Sequence, residues 1–98
     1  MAHTTVRLEG KLDHDTLAKL GLEAREGSPL ILDLHQVAYV TSSALAHFAK
    51  LSSRRDVRLV RLDPRVRSVV GLAGLDRLIQ IFEDEPAALA AKPGEKRA

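Results

Sequence analysis

An α/β domain is what this sequence predicts, and three observations carry it. Short apolar runs alternate with segments whose apolar residues recur at helical spacing. Helix-start chemistry follows the apolar runs, at the Thr41-Ser42-Ser43 triplet and at Asp63-Pro64. Helix-stop or turn residues, Gly27-Ser28-Pro29 and Gly74, then precede the next run. Strand–helix alternation of this kind implies parallel pairing through right-handed crossovers.

Taken in order, Thr4 to Glu9 alternates and reads as a strand, broken by Gly10 and the Asp13-His14-Asp15 cluster. Asp15 or Thr16 can cap a helix whose Leu17, Leu20 and Ala24 share a face. Leu30 to Leu34 is nearly continuous apolar, as a central strand covered on both faces should be. A second short run, Val37 to Val40, leads to the hydroxyl triplet. The next helix is predicted to turn Leu45, Phe48, Ala49 and Ser52 inward. Val57 to Leu62 is a strand, and Val66, Val69, Val70 and Ala73 form the stripe of the helix after Pro64. Leu78 to Phe82 is the last strand, and Pro86 opens an alanine-rich helix. The domain is expected to occupy residues 1–91, with Lys92 to Ala98 a polar, disordered tail.

A chain of 98 residues holds one core of useful size. Its 45% hydrophobic and 29% charged content is that of an ordinary soluble protein rather than a disordered one. No apolar run approaches the ~20 residues that span a bilayer, and no signal core precedes the first charge. Without cysteine there is neither a disulfide nor a thiolate nucleophile, and a cytoplasmic setting is expected. Arg54, Arg55, Arg58, Arg61, Arg65 and Arg67 are interleaved with Asp56 and Asp63 and lack aromatic neighbours. They read as a solvated mixed-charge surface rather than a nucleic-acid face.

Catalytic chemistry is poorly supported, and no cofactor is implied. Gly71 and Gly74 lack the lysine and hydroxyl of a phosphate loop, and the four histidines show no metal-site spacing. Asp33 sits near the carboxyl end of a strand, where ligands gather, but neighbouring backbone amides can equally satisfy it. Ser43 and His47 share a helical face, yet the acid, the oxyanion hole and the sharp nucleophile elbow of a hydrolase are missing. With Lys50 on the same face, they read as a recognition surface rather than a catalytic pocket.

Three blocks carry a resemblance. Leu8-Glu9-Gly10-Lys11-Leu12-Asp13 is similar to a Gly-x-Leu-Asp turn. Leu32-Asp33-Leu34 through Ala38-Tyr39-Val40-Thr41-Ser42-Ser43-Ala44-Leu45 is similar to a strand followed by Asp-Ser-Ser-Gly-Leu. Asp63 to Arg67 with Gly74-Leu75-Asp76-Arg77-Leu78 matches a final helix and strand. In this order they resemble the STAS domain family of bacterial anti-sigma factor antagonists (anti-anti-sigma factors). The resemblance implies a single small domain, a mixed, mostly parallel sheet with helices mainly on one side. It also implies binding to an anti-sigma factor that is a serine kinase, which phosphorylates the antagonist and ends the interaction until a phosphatase reverses it. The phosphoacceptor then falls on Ser43, and Thr41, Ser42, Ser43, Ala44, His47 and Lys50 form the partner surface. Thr41 stands in place of the family's aspartate and Ala44 in place of its glycine. Those replacements suit a second expectation, a subunit that is not phosphorylated and docks constitutively on a larger assembly such as a lipid-transporting ABC transporter. A short amino-terminal segment leaves sheet edge uncovered, so either a monomer or a weak homodimer is compatible.

Overall fold

A computed structural model describes residues 2–91; the tail expected at 92–98 lies outside them. Strands β1 (Thr4–Leu12), β2 (Leu30–Val40), β3 (Val57–Val60) and β4 (Gln80–Phe82) form one sheet in the order β1-β2-β3-β4. All three pairings are parallel, as the alternation predicts. Helices α1 (His14–Lys19), α2 (Ser42–Ser52), α3 (Pro64–Leu72) and α4 (Glu85–Ala90) follow the four strands in turn.

The core divides by strand parity. Leu30, Leu32, Leu34 and Leu59 face the large cluster with Leu17 of α1, Phe48 and Leu51 of α2, and Val66 and Val70 of α3. Ile31 and Val60 point to the other face, where Ala88 of α4 and Phe82 cover them. Three helices therefore lie on one face and α4 alone on the opposite one, the mainly one-sided arrangement expected.

The two apolar runs Leu30–Leu34 and Val37–Val40 are one continuous strand rather than two pieces. Arg7 pairs with Asp33 but Glu9 with Gln36, and Gly10 pairs with Val37 but Lys11 with Tyr39. Each step gives β2 one residue more than β1, which defines a bulge. The buried positions consequently step by three, Leu34, Val37 and Val40, where a regular strand steps by two. That spacing disguises the strand in the sequence. Likewise β1 runs through Gly10, at φ 73°, to Leu12 instead of stopping at Glu9.

Local chemistry sets the helix starts. The cap of α1 is Asp13, its Oδ1 accepting from the Thr16 amide at 2.8 Å, so the helix starts earlier than a cap at Asp15 or Thr16 would set it. Asp63 caps α3 ahead of Pro64 as expected. The α3 stripe is narrower than predicted: Val66 and Val70 are buried, while Val69 and Ala73 are exposed. The last strand is also shorter, because Leu75–Arg77 forms a 3-10 turn and leaves Leu78 exposed.

One arginine departs from the expected solvated surface. Arg58 on β3 is buried, where its Nη2 donates to Asp56 at 2.9 Å. Its Nη1 donates to the carbonyls of Ala88 and Ala91 at the end of α4. The guanidinium thus satisfies carbonyls that a helix terminus leaves without partners. Arg55 similarly donates to the carbonyls of Leu22, Arg25 and Gly27, tying down the loop before β2.

Candidate functional site

The residues singled out in the sequence converge where the ends of β1 and β2 release α1 and α2 side by side. Leu12 and Val40 are register partners, and the Thr41 amide donates to the Leu12 carbonyl at 3.0 Å. Asp13 and Thr41, one residue further on each strand, are the two N-caps. Parallel pairing therefore places the first turns of both helices together, a contact no local sequence signal announces.

Thr41 Oγ1 accepts from the Ala44 amide at 3.2 Å and lies 2.9 Å from Ser43 Oγ. Ser43 Oγ in turn accepts the His14 amide of α1 at 3.1 Å. One consistent arrangement has the His14 amide donating to Ser43, whose hydroxyl donates to Thr41. Ser43 is thus exposed and also links the two helices. The structure gives His47 a different neighbour from the one its spacing suggested. His47 Nδ1 lies 3.2 Å from His14 Nδ1, with the rings edge-to-face at 61° and 5.1 Å between centroids. Among the described residues no bond joins Ser43 to His47, and no cluster of three or more ligating side chains suits a metal ion. Burial holds the His47 pKa below its ordinary value, and the neighbouring His14 and Lys50 push the same way while Glu23 opposes them.

The exposed surface comprises Ser42, Ser43 and Lys50, with His14 beside them and Thr41 and His47 half-buried. Ala44 does not belong to it. The helix turns Ala44, Phe48 and Leu51 inward, all fully buried, and leaves Leu45, Ala49 and Ser52 half-buried at the flanks. Of the expected inner face, Phe48 is fully buried and Leu45 and Ala49 pack half-buried against the same cluster, while Ser52 turns its hydroxyl back to the Ala49 carbonyl; Ala44 and Leu51 are the buried residues that the expectation left out. The Ala44 methyl therefore packs in the core and is not displayed on that surface. His14 is the addition that sequence reading missed: it lies 29 residues from Ser43, and only the parallel crossover joins them.

Asp33, the other acidic candidate, is largely accounted for by its neighbours. Its Oδ1 accepts the His35 amide at 2.9 Å and its Oδ2 lies 3.9 Å from Arg61. No described helix is long and apolar enough to cross a membrane.

No individual curated protein matches the chain. The family described as Mlab, STAS domain, matches residues 1–80 of the 98. Fold, element order and this match agree, and the chain belongs to the STAS domain family, whose presence points to a regulatory module for protein interaction.

Proposed function

We propose that the protein is a docking module rather than an enzyme, an anti-sigma factor antagonist that binds an anti-sigma factor serine kinase in the cytoplasm through the paired first turns of α1 and α2. The observation that supports this most is the exposed Ser43 hydroxyl, held between Thr41 Oγ1 and the His14 amide at the centre of that surface. A phosphoryl group on Ser43 would carry about −2 charge and accept hydrogen bonds without donating to Thr41 in its dianionic form. The α2 dipole and the His14 amide tolerate an anion there, so the domain stays folded. A partner packed against the same turn meets a bulky dianion, whose desolvation is costly unless a cation pairs with it. Docking ends, and removal of the phosphate by a phosphatase restores it.

The test is co-elution of the purified chain with an anti-sigma factor kinase, before and after ATP. Wild type should bind and then dissociate, Ser43→Ala should stay bound in ATP, and Ser43→Asp should not bind. Equal binding by Ser43→Asp and wild type would sink the switch. A second reading, constitutive docking on a larger assembly such as a lipid-transporting ABC transporter, draws on membership of the STAS family and on Thr41, which caps α2 with a neutral hydroxyl. It predicts the same surface, insensitive to ATP.

A further inference from the structure

The two edges of the sheet differ in how they are protected. β4 is three residues long, too short to template another strand effectively. β1 is nine residues long, and among the described residues no strand pairs along its outer side. The Thr4 amide donates to Pro29, and the Leu12 carbonyl accepts from Thr41, both in the direction of β2. Even-numbered residues of β1 therefore spend their backbone groups inside the sheet. By the alternation of a strand, Thr5, Arg7, Glu9 and Lys11 direct theirs outward, and their side chains all lie exposed on the face away from the main core.

We propose that this edge pairs with the same edge of a second copy, antiparallel, about a two-fold axis at Leu8. Charge complementarity selects the occupant, and charge together with overlap selects the register, since centring on Gly10 also sets Glu9 against Lys11 but keeps only those two of the four outward residues in the ladder. Centred on Leu8, Arg7 of each copy stands opposite Glu9 of the other, and Thr5 stands opposite Lys11. Shifting the centre to Arg7 sets the two Arg7 side chains against each other. Shifting it to Glu9 sets Glu9 against Glu9 and Arg7 against Lys11. Intermediate shifts oppose inward residues to outward ones and break the continuity of the core face. In the Leu8 register all the outward-directed pairs are of the hydrogen-bonded type, giving about eight backbone bonds. The inward residues Val6 and Leu8 then meet Gly10 and Leu8 of the second copy, and no atom lies within 4 Å of where a Gly10 Cβ would stand. A two-fold axis normal to the sheet keeps helices α1 to α3 of both copies on one face, so two four-stranded sheets become one.

The experiment is sedimentation equilibrium of the whole chain, from about micromolar to about millimolar concentration. Wild type should associate to a dimer. Arg7→Glu sets Glu against Glu and Glu9→Arg sets Arg against Arg, so each alone should weaken association by roughly tenfold or more. An equimolar mixture of the two restores both opposite-charge pairs and should recover a heterodimer, as should the double swap in one chain. Both side chains are exposed, and an unchanged circular dichroism spectrum shows each variant folded. A wild-type monomer across the range overturns the proposal, whether or not the edge receives a strand from another protein. So does a dimer indifferent to the single swaps, or a mixture that fails to associate.

Discussion

Replacing Thr41 by alanine tests the arrangement at the head of α2 directly. Thr41 Oγ1 accepts the Ala44 amide at 3.2 Å and pairs with Ser43 Oγ at 2.9 Å. Loss of an N-cap hydroxyl costs about 0.5–2 kcal/mol. The cap bond is long and Thr41 is half-buried, so water can partly replace it, which points to about 1 kcal/mol here. For a domain of this size that lowers the melting temperature by about 4–8 °C. Thr41→Ser keeps the oxygen and should melt within about 2 °C of wild type. Because Thr41 and Ser43 share one bond, the double variant with Ser43→Ala should lose less than the sum of the two single losses. Thermal melts followed by circular dichroism supply all the values. If Thr41→Ala melts with wild type, or Thr41→Ser loses as much as Thr41→Ala, the hydroxyl does not hold the turn and the reasoning about Ser43 falls with it.

Two further outcomes concern stability elsewhere. Arg58→Met removes the donor to Asp56 and to the carbonyls at the end of α4; Asp56 reaches water, so the loss should stay near about 2 kcal/mol, below that of a fully buried pair. Hydrogen exchange should quicken in α4 more than in α1 or α2, and a uniform change would contradict the clamp. For His47, burial beside His14 holds the folded-state pKa below the 6.5 of a free imidazole. Well above pH 6.5 the imidazole is neutral whether the chain is folded or not, and its contribution is fully present. As pH falls below that value the unfolded chain takes the proton first, and stability is lost down through the folded pKa. His47→Gln should flatten this acid-side loss in denaturant titrations between about pH 7 and 5, and an unchanged slope would show that the His14–His47 pair does not couple to folding.

Wherever local chemistry acts alone, the sequence was legible. Asp63-Pro64, the apolar Leu30–Leu34 run and the hydroxyls before α2 all do locally what their residue types predict. Legibility failed where a tertiary partner decides. The bulges of β2 exist only relative to β1, so Val37 and Val40 read as a separate piece. Arg58 looks like one of a row of surface arginines until α4 folds over it. The candidate site divides in the same way. Thr41 and Ser43 were visible from their place before a helix, whereas His14 joins them through a crossover, and Ala44 is buried against the core.

The placement of α4 on the opposite face of the sheet from α1 and α2 has a practical consequence for measurement. An immobilising tether or fluorophore attached at the α4 end would be anchored behind the sheet, with the Arg58 bonds to Ala88 and Ala91 fixing its point of departure. Binding sensors built that way would present the Ser43 surface outward to analyte. A label at His14 or Lys50 would instead occupy the surface under study, and a null result from it would report the label.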